Sequence, residues 1–424
     1  MLVFTVDVLS RAPYHAGMNP VRLGIVGLGN MGGSHAKNIL ANKINRGVLS
    51  AVCDIDPVRL KDFPDLPQFT TPKKLFKSGR VDAILITTPH FTHPTIGLAA
   101  FQAGIHVLSE KPLAVHKADC ERFIAGHAGT QLVFSEMFNQ RTDPYYIKIR
   151  EMVRGGELGT IRRVNWIITN WFRSEAYYAS GSWRATWGGE GGGVLLNQCP
   201  HNLDLFQWIF GLPRRVRATC SLGRYHNIEV EDDVTAYMEY DTGATAVFIT
   251  STGEAPGTNR LEIAGENGKL VYENGVITFT RNEVPTTEFS RTTQSLFGAP
   301  ANKTTTIPLG DNHGGQHNAI IQNFVDAILD GTPLIAPAAE GLNSVELGNA
   351  MLYSSLKNKT IELPLDGAAY KRTLKQLVKN SRFTKKEVQP GTTSAEEFTK
   401  GFNNESQPSR RPTLYHPQLP QNSG

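Results

Sequence analysis

The sequence predicts an α/β protein: a doubly wound parallel sheet, then an α+β domain with a large, mostly antiparallel open sheet. Three observations predict this fold. Short β-branched runs alternate with helical apolar spacing between residues 21 and 133, which is typical of a parallel sheet with helices on both faces. A glycine-rich turn follows the first run. Beyond Asp143 the runs lengthen and Asn-Gly pairs separate them, which indicates antiparallel hairpins.

The first half contains five predicted strands and three predicted helices. We expect strands at Arg22–Val26, Leu49–Cys53, Asp82–Thr87, Ile105–Leu108 and Gln131–Phe134. We expect helices at Met31–Ala41, Pro94–Ala103 and Lys117–Ala128. Another doubly wound domain would show the same alternation, so function depends on the motifs.

The second half has the pattern of an open sheet flanked by helices. We expect strands at Ile161–Trp171, Val216–Leu222, Asp233–Tyr240, Ala244–Ser251, Arg260–Ala264, Lys269–Tyr272 and Ile361–Pro364. We expect helices at Pro144–Gly155, Gln316–Leu329 and Ala339–Lys357. Because large open sheets expose edges and faces that find partners, we expect a homodimer or homotetramer formed through this sheet.

Composition excludes several classes of protein. With 40% apolar and 19% charged residues the chain suits a globular protein, and its net charge of +4 is too small to indicate nucleic-acid binding. The four cysteines form no CxxC pair, which argues against a zinc site and favours a reducing cytoplasm; we assign no metal. No apolar run approaches the roughly 18–20 residues of a membrane helix.

The glycine turn has the spacing of a dinucleotide-binding loop. Gly27, Gly29 and Gly32 form GxGxxG between a predicted strand and a predicted helix, with Asn30 and Met31 between them. In this context the first glycine permits the turn, the second admits a pyrophosphate and the third allows close helix packing. The helix N-terminus then offers free N–H groups to the phosphates, so the first domain is predicted to be a Rossmann domain.

The nucleotide preference depends on Asp54, which ends the second predicted strand. A carboxylate there accepts hydrogen bonds from the ribose hydroxyls and repels a 2′-phosphate, which favours NAD over NADP. Alternatively, Asp54 caps the helix that begins near Pro57. Arg59 is a nearby cation that can pair with a 2′-phosphate, so binding of NADP stays an alternative.

Two further segments indicate a family. The first contains Thr88, Pro89 and His93, followed by the Glu110-Lys111-Pro112 tripeptide. The second is the glycine run at 191–193, with a His-x-x-Asp motif downstream. Together they resemble the glucose–fructose oxidoreductase/inositol dehydrogenase (Gfo/Idh/MocA) family over roughly residues 21 to 364. The resemblance implies an NAD-dependent enzyme with cofactor contacts at Gly27, Gly29, Asn30, Met31, Gly32, Asp54, Thr88, Pro89, His93, Glu110 and Lys111.

The resemblance also implies that Lys111 and His201 carry the chemistry. Lys111 ends a predicted strand at the edge where ligands of such sheets bind, and its ammonium can orient a reacting hydroxyl. His201, with an ordinary pKa near 6.5, can accept the hydroxyl proton. The other interpretations are a surface lysine before a proline turn and a helix histidine without catalytic role.

Asn197 departs from the family pattern, in which many members have aspartate four residues before the histidine. An amide cannot act as a base, so Asn197 is predicted to orient substrate. At helical spacing Asn197, His201 and Asp204 would share a face, and Asp204 would orient His201, although Pro200 bends or restarts the helix. Trp183 and Arg184 suit a sugar ring by stacking and hydrogen bonding, with core packing of Trp183 and Trp187 an equal alternative.

We divide the chain into four segments. Residues 1–18 are predicted to be a disordered leader, 19–140 the NAD-binding domain and 141–365 the substrate-binding and oligomerisation domain. Residues 366–424 form a basic extension rich in Pro, Gln and Ser, with ten Lys and Arg against four Glu beyond Asp366. We expect this extension to lie on the surface or to be disordered, and to be dispensable for the fold.

Three functions remain open from the sequence. The first is a dehydrogenase acting on a secondary alcohol of a sugar, glycoside or cyclitol. The second is an enzyme that retains NAD and oxidises its substrate transiently to cleave a glycosidic bond. The third is a non-catalytic NAD-responsive sensor, against which the presence of Lys111 and His201 argues.

Overall fold

The computed structural model describes residues 20–181, 183–309 and 313–385. Their two sheets, of six and nine strands, confirm the predicted fold class. The predicted leader and the extension beyond Lys385 lie outside these residues. No helix in the described ranges is both long enough and apolar enough to cross a membrane.

The first sheet is entirely parallel, with strand order β3-β2-β1-β4-β5-β6. Its strands are β1 (Val21–Val26), β2 (Gly47–Cys53), β3 (Gln68–Phe69), β4 (Ala83–Ile86), β5 (His106–Ser109) and β6 (Phe134–Glu136). The helices between them are α1 (Asn30–Leu40), α2 (Pro57–Leu60), α3 (Pro72–Lys77), α4 (His93–Gln102) and α5 (Lys117–His127). This is the strand order of a dinucleotide-binding sheet. Successive strands are added on one side of β1 up to β3, and the chain then crosses to add β4 on the other side.

The second sheet has nine strands in the order β14-β13-β12-β11-β7-β10-β9-β8-β15, and only β7 and β10 pair in parallel. Its strands are β7 (Ile161–Ile168), β8 (Arg215–Leu222), β9 (Glu231–Glu239), β10 (Thr245–Ser251), β11 (Asn259–Gly265), β12 (Gly268–Glu273), β13 (Val276–Asn282), β14 (Asn302–Ile307) and β15 (Ile361–Glu362). The remaining helices are α6 (Pro144–Arg154), α7 (Glu175–Ala179), α8 (Pro200–Phe210), α9 (Thr286–Thr292), α10 (Gln316–Asp330), α11 (Gly341–Lys357) and α12 (Gly367–Asn380).

The last strand of the first sheet lies later in the sequence than predicted. Strand β6 begins at Phe134, which pairs with Val107, and continues through Ser135 and Glu136 instead of covering Gln131–Phe134. All three β6 residues are buried. The polar Ser135 and Glu136 ended the apolar run too early, because a strand buried on both faces is recognised mainly by its apolar residues.

Helix α10 belongs in space to the first sheet, although the sequence boundaries assigned it to the second domain. Ile320, Ile321 and Phe324 pack with Leu23 and Ile25 of β1 in one hydrophobic cluster. Arg46 contacts the same helix through two ion pairs, one of 2.7 Å with Asp326 and one with Asp330. A helix from late in the sequence therefore covers part of one face of the N-terminal sheet.

Helix α12 corrects the expectation that the chain from Gly367 lies loosely on the surface. Tyr370 and Leu374 are buried in the large core of the second domain, and Lys371 forms an ion pair of 3.0 Å with Asp119 of α5. The composition of the whole extension did not reveal this amphipathic helix, because Arg372, Lys375 and Lys379 lie exposed on its outer face.

Candidate active site

A single cleft of about 1140 Å³ runs from the glycine turn to Lys111 and His201. It opens at the carboxyl ends of β1 and β4, the point where the strand order reverses and where such sheets bind ligands. Small-molecule sites usually measure about 300–1,000 Å³, so this cleft can hold a dinucleotide together with a second small molecule.

The glycine turn has the shape that a dinucleotide requires. Gly27 has φ of +98°, and a Cβ on Gly32 would lie 1.9 Å from the Gly27 carbonyl oxygen. Gly29 lines the cleft and is the N-cap of α1, with no side-chain hydrogen bond capping that helix. Asn30 and Met31 line the cleft beside it. The free N–H groups at the start of α1 fit a pyrophosphate.

Asp54 lines the cleft at the end of β2, as its predicted role requires. Its Oδ2 accepts a 2.6 Å hydrogen bond from the Leu28 amide, and Oδ1 accepts one of 2.8 Å from the Asp56 amide. Asp56, not Asp54, caps α2 through the Val58 amide. Asp54 therefore also anchors the glycine turn, and the helix-cap interpretation belongs to its neighbour.

Thr88 and Pro89 line the cleft, whereas His93 supports it from behind. The two ring nitrogens of His93 lie 2.6 Å from the Thr88 carbonyl oxygen and 2.9 Å from the Pro112 carbonyl oxygen. His93 is completely buried and does not line the cleft. Its predicted cofactor contact is thus replaced by a structural role that joins the segments after β4 and β5.

Glu110 lines the cleft and is paired with a histidine of α1. Its Oε1 lies 2.8 Å from His35 Nε2. Burial raises the pKa of Glu110, but the hydrogen bond and charge of His35 outweigh this effect and lower it to about 2. Glu110 therefore carries a negative charge at neutral pH beside Lys111, and both residues line the cleft.

Lys111 reaches across the cleft to the second domain. Its Nζ donates a 2.8 Å hydrogen bond to the backbone carbonyl of Asn197. Burial lowers the pKa of Lys111, an effect that Glu110 and Glu190 oppose and that Arg173 and Arg184 reinforce. The ammonium is therefore held in place by a neutral group and can surrender a proton more readily than a lysine in water.

His201 lines the same cleft, and burial, reinforced by Lys111, holds its pKa well below the ordinary value of 6.5. No described residue hydrogen-bonds its Nδ1. Asp204 does not orient it: Arg141 Nε and Nη2 donate to Asp204 at 2.8 and 2.6 Å, and Gln207 donates at 3.0 Å. Asp204 lies outside the cleft lining, so its predicted substrate contact is replaced by a buried ion pair.

Asn197 lines the cleft but does not share a helix face with His201. Helix α8 begins at Pro200, which occupies its first turn, and Asn197 lies in the turn before it. Proline favours this position because its missing N–H would have no partner there. The Asn197 side chain donates to Oε1 of Glu190 and accepts a 3.3 Å hydrogen bond from the Tyr177 hydroxyl.

Trp183 and Arg184 both line the cleft, whereas Trp187 is buried in the core. The predicted sugar-stacking role therefore stays open for Trp183 alone, and core packing describes Trp187. The Trp183 ring meets His90 edge-on at 5.7 Å, and the Arg184 guanidinium lies 4.8 Å from the Trp183 ring centre.

Four residues of the site were missed in the sequence. His90 and His317 line the cleft, and Tyr177 and Glu190 stand behind Asn197. Burial, followed by the charge of His35, lowers the pKa of His317 to about 4. Only the position of Glu190, directly before the glycine run, offered a signal. The described residues contain no group of three or more metal-binding side chains.

Comparisons with known proteins identify the family. Residues 21–138 match the oxidoreductase family with an NAD-binding Rossmann fold (GFO/IDH/MocA), and residues 146–271 match the GFO/IDH/MocA C-terminal domain. Myo-inositol 2-dehydrogenase of Thermotoga maritima is 26% identical over 266 residues, which cover 60% of this chain and 75% of that enzyme. The NADP(+)-dependent scyllo-inositol 2-dehydrogenase of Bacillus subtilis is 24% identical over 360 residues, 82% of this chain and 97% of that enzyme.

Solved structures share the fold. The WlbA dehydrogenase of Chromobacterium violaceum, crystallised with NADH and UDP-GlcNAcA, superposes with a TM-score of 0.72 at 24% identity. The match covers 85% of this chain and all of that chain. The two family matches, one in each domain, and the shared fold all indicate the same family. The chain belongs to the GFO/IDH/MocA family and is an oxidoreductase with an NAD-binding Rossmann domain.

Proposed function

We propose that this enzyme transfers a hydride between NAD and a secondary alcohol, or the matching ketone, of a sugar, glycoside or cyclitol. The observation that carries the proposal is that Lys111 and His201 line one cleft with the glycine turn and Asp54. Two relatives are named inositol 2-dehydrogenases, which supports a polyhydroxylated substrate. The Trp183 ring in the cleft offers an aromatic face on which a sugar ring can stack.

Lys111 and His201 have separate roles in removing the proton of the reacting hydroxyl. The Lys111 ammonium, fixed by the Asn197 carbonyl, orients the reacting hydroxyl and stabilises its developing negative charge. His201 is neutral at pH 7 because burial lowers its pKa, so its imidazole is free to accept the hydroxyl proton. When bound against the glycine turn and Asp54, NAD supplies the hydride acceptor.

The test is to incubate the purified full-length chain with NAD and a panel of sugars, glycosides and cyclitols, following absorbance of the reduced nicotinamide. We expect stoichiometric NADH with at least one class. Lys111→Ala and His201→Ala should each lower turnover by roughly 10²–10⁴-fold, the usual scale for positioned acid–base groups. NAD affinity should survive in His201→Ala.

The matched control is His313→Ala, since His313 is 59% exposed in its side chain and lies outside the cleft lining. This control should keep wild-type turnover. Product without NADH would favour the enzyme that oxidises its substrate transiently to cleave a glycosidic bond. Wild-type turnover in His201→Ala would show that another group accepts the proton.

A further inference from the structure

Three lysine or arginine residues are buried among the described residues, and one of them differs from the others. Arg141 pairs with Asp204 at 2.6 Å, and Lys117 pairs with Glu346 at 2.8 Å. Arg184 is also buried, with 8% of its surface exposed, but no described carboxylate lies within 4.0 Å of it. Buried cations are normally paired with an anion, so we expect a bound ligand to supply the anion for this guanidinium.

Neutral groups hold Arg184 in position without neutralising it. Its Nη1 donates to the Tyr177 hydroxyl at 2.6 Å, and its Nε donates to the Ser180 carbonyl at 3.3 Å. The guanidinium carbon lies 4.3 Å from the Tyr177 ring centre and 4.8 Å from that of Trp183. Nη2 makes no hydrogen bond with any residue that the structure describes. A fixed guanidinium edge is therefore available to the cleft.

The surroundings add further positive charge. Arg173 also lies over the Tyr177 ring, at 5.1 Å, and Lys385 Nζ donates a 3.0 Å hydrogen bond to the Arg184 carbonyl. The acidic side chain that interacts with Arg184 is Glu190, whose oxygens are occupied by the Ala185 amide and the Asn197 side chain. Burial raises the pKa of Glu190, which weakens it as a counter-charge.

We propose that the substrate is an acidic sugar or cyclitol whose carboxylate binds Arg184, an inference that rests on the proposed dehydrogenase function. A planar guanidinium that contacts the Tyr177 and Trp183 rings matches the planar carboxylate of a uronate or aldonate and forms paired N–H···O bonds with it. Lys111 lines the same cleft, and the charge of Arg184 is near enough to lower its pKa, so the carboxylate and the reacting hydroxyl belong to one small molecule.

The experiment compares matched substrates with the NAD-loaded, full-length enzyme. Each neutral sugar is paired with its uronate or aldonate and with its phosphate ester, and kcat/KM is measured from NADH formation. We expect the carboxylate form to exceed its neutral parent by about 10- to 100-fold, the scale of a charged hydrogen bond. Arg184→Gln should reduce that ratio to about one, and Arg184→Lys should retain part of it.

The control is Arg214→Gln, because Arg214 is half exposed, pairs only loosely with Asp241 at 3.8 Å and lies outside the cleft lining. It should leave the ratio unchanged. Equal or better turnover of neutral or phosphorylated forms by the wild type would overturn the carboxylate proposal while leaving the dehydrogenase function intact.

Calorimetric binding separates the two proposals if no substrate yields NADH. Uronate or aldonate binding to the NAD-loaded wild type, lost in Arg184→Gln, would support the carboxylate site while the dehydrogenase function fails. If no acidic sugar binds to the wild type, the proposed carboxylate site is wrong. Unchanged NAD affinity and melting temperature in Arg184→Gln confirm that the variant is folded.

Discussion

The side-chain amide of Asn197 donates a hydrogen bond to Oε1 of Glu190, a carboxylate with only 1% of its surface exposed. The other oxygen of Glu190 accepts a 2.6 Å hydrogen bond from the Ala185 amide. An aspartate at position 197 would place two carboxylates in contact. The asparagine and the buried glutamate are therefore complementary in this chain.

Asn197→Asp should destabilise the enzyme and lower its activity. The new carboxylate replaces a donor and faces Glu190, so one of the two acids must bind a proton. We expect a loss of about 1–3 kcal/mol in unfolding free energy at pH 7, measured by urea denaturation. The double variant Asn197→Asp with Glu190→Gln restores a donor–acceptor pair and should recover most of the loss. Additive losses in the double variant would contradict this coupling.

The acid limb of the pH profile should lie below pH 6.5. His201 accepts a proton only when neutral, and burial holds its pKa well below 6.5, so the active form persists as the pH falls toward that lower value. Oxidation should therefore be nearly flat between pH 8 and about 6.5, the ordinary histidine pKa, and decline only below it. The measurement is kcat/KM for alcohol oxidation against pH. A midpoint at or above 6.5 would show that another group controls the limb.

Asp54→Ala should weaken NAD binding by about 1–3 kcal/mol, the scale of a hydrogen bond to a charged acceptor. Part of the loss comes from the glycine turn, since Asp54 also accepts the Leu28 amide. The pair Asp54→Ser with Ile55→Arg should shift preference toward NADP, because the Ile55 side chain is 89% exposed and an arginine there has room. Fluorescence titration of both cofactors measures this, and equal wild-type affinity for NADP and NAD would overturn the role of Asp54.

Truncation after Asp366 should destabilise the protein, contrary to the expectation from composition. It removes helix α12, and with it the buried Tyr370 and Leu374. Leu374→Ala alone should cost about 2–5 kcal/mol, the range for emptying a buried leucine site. Truncation after Lys385 keeps every contact of α12 that the structure describes and is the matched control. Equal melting temperatures for both truncations would show that α12 contributes nothing to stability.

Local sequence was sufficient where one short segment contains the whole signal. The glycine turn, Asp54 at the end of β2 and Lys111 after β5 were recognisable because strand periodicity places each at the same edge of a parallel sheet. The alternation of strands and helices likewise predicted the parallel sheet, and longer runs separated by Asn-Gly pairs predicted the antiparallel one. Boundaries shifted where polar residues such as Ser135 and Glu136 continue a buried strand.

Only the tertiary structure decided which partners these residues meet. Asp204 pairs with Arg141, sixty-three positions away, and not with His201 three positions away, because packing brings a buried cation to it. Glu190 meets Asn197 because the chain between them turns back before α8. Helix α12 docks because its Tyr370 and Leu374 are buried in the large core of the second domain. Contacts of this kind leave no periodicity in the sequence, since their geometry exists only once the chain has folded.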